Sequence, residues 1–144
     1  MNNRHSILSL LVVALLVGAG CTQQVSFSKN VKPILDAKCL SCHDGTGEGS
    51  TRSGFNVKTY DSLMVGTKLG KVIVPGDAVS STLYRLISHK ASPEIQMPPH
   101  HGQSLAKGKT EPLTESEIDM IVDGLETAFT RYEKELRGQG VKIG

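Results

Sequence analysis

In the first third of the chain, five consecutive residues read Cys39-Leu40-Ser41-Cys42-His43. Two thiols at this spacing can add across the two vinyl groups of one haem, and the next side chain can then reach the iron. C-x-x-C-H is the pattern of c-type haem attachment. A bare C-x-x-C can also be half of a zinc site or a thioredoxin-like redox pair. This chain, however, has no second C-x-x-C and no βαβ pattern around this one. The motif therefore predicts one covalently bound haem, linked through Cys39 and Cys42, with His43 as the proximal iron ligand.

The N terminus has the features of an export signal. Arg4 precedes an apolar run from Ile7 to Val17, which is too short for a comfortable transmembrane span. Three small residues then lead into Cys21, as in the lipobox of bacterial lipoproteins, where the cysteine is acylated. We interpret residues 1–20 as a lipoprotein-type signal peptide and Cys21 as the lipid attachment site. The alternative is an ordinary signal peptide cut nearby, which leaves Cys21 as a spare thiol.

Composition agrees with an exported protein that binds a large apolar group. The 144 residues include three cysteines, and a lipid on one and a haem on the other two explain this odd number without a disulfide. Aromatic residues make up 4% of the chain and there is no Trp, so a cofactor would help to fill the core. The net charge is +2, and no long basic run interleaved with aromatics suggests binding to nucleic acid.

Apolar periodicity predicts an all-α domain over residues 27–137, preceded by a short tether (21–26) and followed by a flexible tail (138–144). The first helix is expected to begin between Ser28 and Asn30 and to carry the cysteines towards its end. The glycines after His43 predict a loop, as do the prolines and glycines of residues 92–108.

Three further helices are predicted from their caps and apolar faces. One spans Thr59 to Val65, and a second begins at a cap formed by Ser80 or Ser81. The last helix has a capping box made by Thr114 and Glu117. Gly124 inside this helix suggests close approach of another helix or of the haem.

Met97 is the predicted distal ligand of the iron. It lies in Ile95-Gln96-Met97-Pro98-Pro99, where the prolines restrict the backbone, and a thioether is a soft ligand suited to haem iron. His100 and His101 are rivals, as a second histidine ligand or as polar groups at the haem edge. We interpret Met64 and Met120 as core residues and His89 as a surface residue. Four basic residues are candidates for the haem propionates by position alone, and the sequence does not choose among them: Arg52, Lys71, Arg85 and Lys90.

Further motifs follow in a characteristic order: Val74-Pro75-Gly76-Asp77, Met97-Pro98-Pro99 and Leu113-Thr114-x-x-Glu117-Ile118. Together with C-x-x-C-H, they resemble the class I cytochrome c fold, in particular the planctomycete-type cytochrome c domain, from about Ser26 to Phe129. The resemblance implies the same linking cysteines, proximal His43 and distal Met97. Many relatives carry a Trp where this chain has Gly124.

A six-coordinate haem has no open site and therefore predicts an electron carrier rather than an enzyme, and the export signal predicts that it works in the bacterial periplasm. Its partners would be redox proteins that donate and accept electrons, and a membrane reached through the lipid on Cys21. One alternative is a peroxidase-like haem enzyme or ligand sensor with a labile sixth position, served by His100 or His101. Another is a subunit of a larger respiratory complex.

Overall fold

The computed structural model describes residues 25–138, apart from the side chains of residues 128–137. The predictions for the signal peptide, Cys21 and the tail beyond Gly138 lie outside the described residues. The described part is helical and contains no β-strand, which confirms the predicted all-α class. Within it, no helix is both long enough and apolar enough to cross a membrane. The elements in chain order are a π-helical turn (Phe27–Val31), α1 (Lys32–Lys38), α2 (Glu48–Ser53), α3 (Tyr60–Val65), α4 (Thr82–Ile87), a 3-10 turn (Pro93–Ile95) and α5 (Glu115–Gly138).

The N-terminal helical segment begins one residue earlier than predicted, with the π-helical turn. The Lys32 N–H bonds to the carbonyl of Phe27, five residues back. Pro33, which has no N–H, then falls in the first turn of α1, where no partner is needed. The two cysteines follow α1 rather than lying within it. They form a tight turn in which the N–H of His43 donates to the carbonyl of Cys39 at 2.9 Å.

Helix α2 lies where the sequence predicts a loop. The carboxylate of Asp44 accepts the N–H of Gly47 at 2.6 Å, which organises the turn just before the helix. Inside α2, the hydroxyl of buried Ser50 accepts the N–H of Gly45 at 2.9 Å and donates to the carbonyl of Phe55 at 2.7 Å. These contacts on both sides of the helix override the low helix propensity of Gly49.

The three helices predicted from their caps are present, but at one of them the predicted cap residue makes no capping hydrogen bond. Thr59 and Ser62 form a capping box at the start of α3. In α5, the Thr114 N–H donates to the Glu117 carboxylate at 2.7 Å. Ser81 occupies the cap position of α4, but its hydroxyl makes no cap hydrogen bond. Instead it accepts the N–H of Val74 at 2.8 Å and so ties the preceding loop to the helix.

The core combines residues of the π-helical turn, α1, α3, α4 and α5 with residues of the loops between the helices. Its most deeply buried apolar members are Val31, Leu35, Val57, Leu63 and Ile121. Gly124 of α5 faces the π-helical turn, and a Cβ built on it would lie 2.1 Å from Cγ2 of Val31 and 3.2 Å from Cγ1 of Val25. The close approach expected at Gly124 is therefore to the N-terminal segment of the chain, and these two valines occupy the space beside the glycine.

We expect Gly124→Ala to lower the free energy of unfolding by about 1–2 kcal/mol. Overpacking costs about 1–3 kcal/mol, whereas the better helix propensity of Ala recovers at most about 1 kcal/mol. Val31 is fully buried and β-branched, so it has little room to turn away. Denaturant unfolding of the purified protein measures the change. Gly138→Ala is the matched control, because a Cβ there meets nothing within 4 Å. A Gly124→Ala protein as stable as the unsubstituted one would contradict the close contact.

Candidate functional site

An open, mainly apolar cavity of about 520 Å³ lies beside the core. The end of α1, helix α2, helix α4 and the segment from residue 94 to residue 110 contribute most of its lining. Its volume is within the range of ligand and cofactor pockets, roughly 300–1,000 Å³. The residues predicted to hold the haem line this one cavity: Cys39, Cys42, His43 and Met97.

The imidazole of His43 is oriented by a backbone carbonyl. Its Nδ1 lies 3.3 Å from the carbonyl oxygen of Phe55, and the Phe55 ring packs against the imidazole edge to face. A metal-binding histidine commonly donates its second ring N–H in this way, which leaves Nε2 for the metal. Burial lowers the pKa of His43 and thereby favours the neutral imidazole, the form that binds a metal.

Gly49 of α2 packs directly against the same imidazole. A Cβ built on Gly49 would lie 2.6 Å from Cε1 and 2.8 Å from Nε2 of His43. Real Cβ atoms do not approach other heavy atoms so closely, so any larger residue at position 49 would displace the ring. The absence of a side chain there, together with the Phe55 carbonyl, fixes where Nε2 lies at the cavity wall.

The two cysteines are half-buried free thiols at the end of α1. Burial, together with the neighbouring Cys42, raises the pKa of Cys39 to about 12, while Lys38 acts in the opposite direction. Cys39 is therefore a neutral sulfur in an apolar wall at physiological pH. A thioredoxin-like pair depends instead on a thiol whose pKa is lowered, so the environment of Cys39 disfavours that alternative.

Met97 lies on a different segment of the cavity lining from His43. Its N–H donates to the carbonyl of Leu86 at 3.1 Å, which ties the segment to α4. Pro98 and Pro99 follow it, are buried and also line the cavity. The position of Met97 is thus held by one backbone hydrogen bond and by two residues with restricted backbones.

The rival histidines do not line the cavity. Nδ1 of His100 lies 2.8 Å from the carbonyl oxygen of Pro98, and Nε2 of His101 lies 3.4 Å from Oε1 of Gln96. The rings of His89 and His100 stack with their centroids 4.6 Å apart, so His89 belongs to a cluster of three imidazoles. This cluster is held by its own contacts, outside the cavity lining.

Comparison with known families identifies this part of the chain. Residues 39–101 match the model of the family described as planctomycete cytochrome C. They form a planctomycete-type cytochrome c domain. The matched span begins at the first cysteine of C-x-x-C-H and ends just after Met97-Pro98-Pro99. Cytochrome c domains carry covalently bound haem c and pass electrons, which confirms the predicted cofactor type and the predicted carrier class.

A curated relative is also a cytochrome. The chain is 31% identical over 109 residues to the fructose dehydrogenase cytochrome subunit of Gluconobacter japonicus. The alignment covers 76% of this chain and 20% of the relative, so the chain spans about a fifth of the length of that protein. No solved structure matches the chain significantly.

The cavity of this cytochrome c domain fits the cofactor that the family implies. Its walls are mainly apolar, as a porphyrin requires, and two thiols, an imidazole and a thioether are among the groups of its lining. The thiols can form thioether bonds to the haem vinyl groups, and the imidazole and the thioether are the ligands that bind haem iron in cytochromes c. Once bound, the haem supplies an iron that alternates between Fe(II) and Fe(III). The chain's own residues would link it, orient it and exclude water from it.

Two features of the site were not predicted from the sequence. Gly49 was interpreted only as part of a loop, although it sets the position of His43. The exposed apolar side chains of Leu69, Ile95 and Leu105 contribute to the cavity lining, although they lie far apart in the sequence. No sequence pattern predicts that these three residues lie close together, because two come from separate loops and one from the 3-10 turn.

Proposed function

We propose that this protein is a monohaem cytochrome in which Cys39 and Cys42 link the haem and His43 and Met97 ligate its iron. The proposal rests on one observation: all four residues line the same cavity, although Met97 lies more than fifty residues after His43 in the chain. One haem is proposed because the printed sequence contains one C-x-x-C-H motif.

The same geometry favours an electron carrier over a haem enzyme or ligand sensor. An enzyme of the peroxidase type needs an open sixth position and an acid–base side chain beside it. His100 and His101 are held by Pro98 and Gln96, and Met97 occupies the lining instead. Absorption spectra of the reduced protein with and without carbon monoxide test this choice. We expect no change on adding the gas, whereas rapid binding would favour the enzyme or sensor.

We further propose that the protein works in the bacterial periplasm, anchored to a membrane by a lipid on Cys21. The support comes from the sequence, in which an apolar run and three small residues precede Cys21. Two or more acyl chains suffice for stable anchoring. Mass spectrometry of the mature N terminus should find an acylated Cys21. A mature chain that begins with an unmodified residue other than Cys21 would contradict the anchor.

The electron donor that we propose is a dehydrogenase. The relative that shares this domain is named as the cytochrome subunit of such an enzyme. The partner would approach at the mouth of the cavity, where Leu69 is 99% exposed and Leu105 is 63% exposed. Apolar side chains at such a mouth favour close contact between redox proteins without fixing the sign of the partner's charge.

We expect Leu69→Glu to slow electron self-exchange between two copies of the cytochrome several-fold. A carboxylate at the mouth repels the same group on the second copy and interrupts the apolar contact. NMR line widths in mixtures of oxidised and reduced protein measure the exchange rate. Val79→Glu is the matched control, because Val79 is 69% exposed and does not line the cavity. Equal rates in the two variants would place the electron-exchange surface elsewhere.

A further inference from the structure

We infer that Arg52 binds a propionate carboxylate of the haem and thereby raises the reduction potential; this inference rests on the proposed function. The sequence leaves four basic residues as equal candidates for this role. Only one of the four, Arg52, lines the cavity. Lys90 donates to the hydroxyl of Tyr84 and lies over the Tyr84 ring, with Nζ 4.4 Å from the centroid. The remaining two, Lys71 and Arg85, are exposed and are not part of the cavity lining.

Arg52 is placed by contacts that leave most of its hydrogen-bonding capacity unused. Nη1 donates to the carbonyl of Leu105 at 3.3 Å, which joins α2 to the segment that carries Lys107. The same nitrogen lies 3.7 Å from the carboxylate of Glu48. A guanidinium has five N–H donors in a planar fork that suits a carboxylate. The other N–H groups of Arg52 are thus available to a carboxylate at the cavity wall.

Glu48 is a weak competitor for Arg52. Both side chains of this i,i+4 pair are about half exposed, and pairs of this kind contribute little to stability. A propionate, in contrast, is held in place by the covalent links of the haem, so little entropy is lost when it pairs with the guanidinium. A change of partner from Glu48 to the propionate would therefore cost little.

Two other basic residues line the cavity, and their positions differ. The ammonium of Lys38 donates to the carbonyls of Glu111 and Pro112 at 3.4 and 3.3 Å, so it holds the loop before α5. Lys107 lies two residues after Leu105, on the segment that Arg52 contacts. Arg52 and Lys107 place two positive charges on a cavity lining that also includes Glu48 and Glu94, so Arg52 provides positive charge there without making the whole lining positive.

The expected consequence is electrostatic. A fixed positive charge near the haem opposes the additional positive charge of Fe(III), so it stabilises the reduced form and raises the potential. The same charge stabilises the ionised propionate and lowers its pKa. The midpoint potential should therefore change with pH around the pKa of the propionate. Because Arg52 lowers this pKa, it shifts the inflection of the curve to lower pH.

Arg52→Gln in the holoprotein tests the inference, with the midpoint potential measured as a function of pH. We expect a lower potential and an inflection shifted to higher pH. Arg85→Gln is the matched control, because it removes the same charge outside the cavity lining and should leave both quantities nearly unchanged. Arg52→Lys keeps the positive charge but lacks the planar N–H donors of a guanidinium. Its midpoint potential should therefore stay close to that of the unsubstituted protein.

Equal responses of Arg52→Gln and Arg85→Gln would overturn the role of Arg52. The unsubstituted protein separates this failure from a failure of the proposed function. If it carries covalent haem and shows the spectrum of a His/Met-ligated iron, the cytochrome assignment stands and only the propionate contact is wrong. If it carries no covalent haem, the proposed function itself is wrong.

Discussion

Replacing both Cys39 and Cys42 by alanine should abolish covalent haem attachment and leave the domain without a cooperative fold. Cys39 packs against the core at the end of α1, and both thiols line the cavity. Without the haem, an apolar cavity of about 520 Å³ would face water in a domain with few aromatic residues. Domains of this size have about 5–15 kcal/mol of stability in total, and cofactor binding that is coupled to folding supplies part of it.

Circular dichroism during thermal unfolding measures this effect. The double variant should show reduced helical signal or a broad, non-cooperative transition, while each single cysteine variant keeps at most one thioether and gives a lower yield of holoprotein. Ser41→Ala is the control, because Ser41 lies between the cysteines and lines the cavity without a linking thiol. A cooperative, native-like transition in the haem-free double variant would show that the fold does not depend on the cofactor.

Replacing Met97 by alanine should have the second large effect, on the iron itself. Loss of the thioether opens the sixth position, so the reduced protein should bind carbon monoxide and the oxidised protein cyanide. The weak far-red sulfur-to-iron band should disappear. The potential should fall by on the order of 0.1 V, since axial ligands set haem potentials over a range of roughly 0.8 V and methionine raises them.

The controls for Met97 come from the other methionines and from the histidine cluster. Met64→Ala removes a partly buried core residue, and His101→Ala removes an imidazole beside Gln96. Neither should change the ligand spectrum or the binding of carbon monoxide. If Met97→Ala left the spectrum unchanged while His100→Ala or His101→Ala altered it, the distal ligand would be a histidine.

The sequence was most informative where function depends on residues close together in the chain. C-x-x-C-H identifies the class of cofactor because its spacing is itself the chemical requirement. The capping box of Thr114 and Glu117 is equally local, and both of its hydrogen bonds are present. Such signals need no knowledge of the tertiary structure.

Features that depend on tertiary contacts could not be predicted in this way. Helix α2 forms because Asp44, Ser50 and Phe55 make hydrogen bonds at its ends, although the glycines that follow His43 predict a loop. Gly124 indicates a close contact, but only the structure identifies Val31 as the residue that fills the space. Likewise, the basic residues are equivalent in the sequence until the cavity lining separates Arg52 from the others.

The central claim, that this chain is a c-type cytochrome with haem bound through Cys39 and Cys42, is tested most directly by mass spectrometry of a single tryptic peptide. Trypsin cleaves after Lys38 and after Arg52, which releases residues 39–52 with both cysteines and His43. From cells with working haem-attachment machinery, we expect this peptide to carry the mass of one haem and to absorb visible light after denaturation. Recovery of the same peptide at its unmodified mass, without colour, would contradict the account.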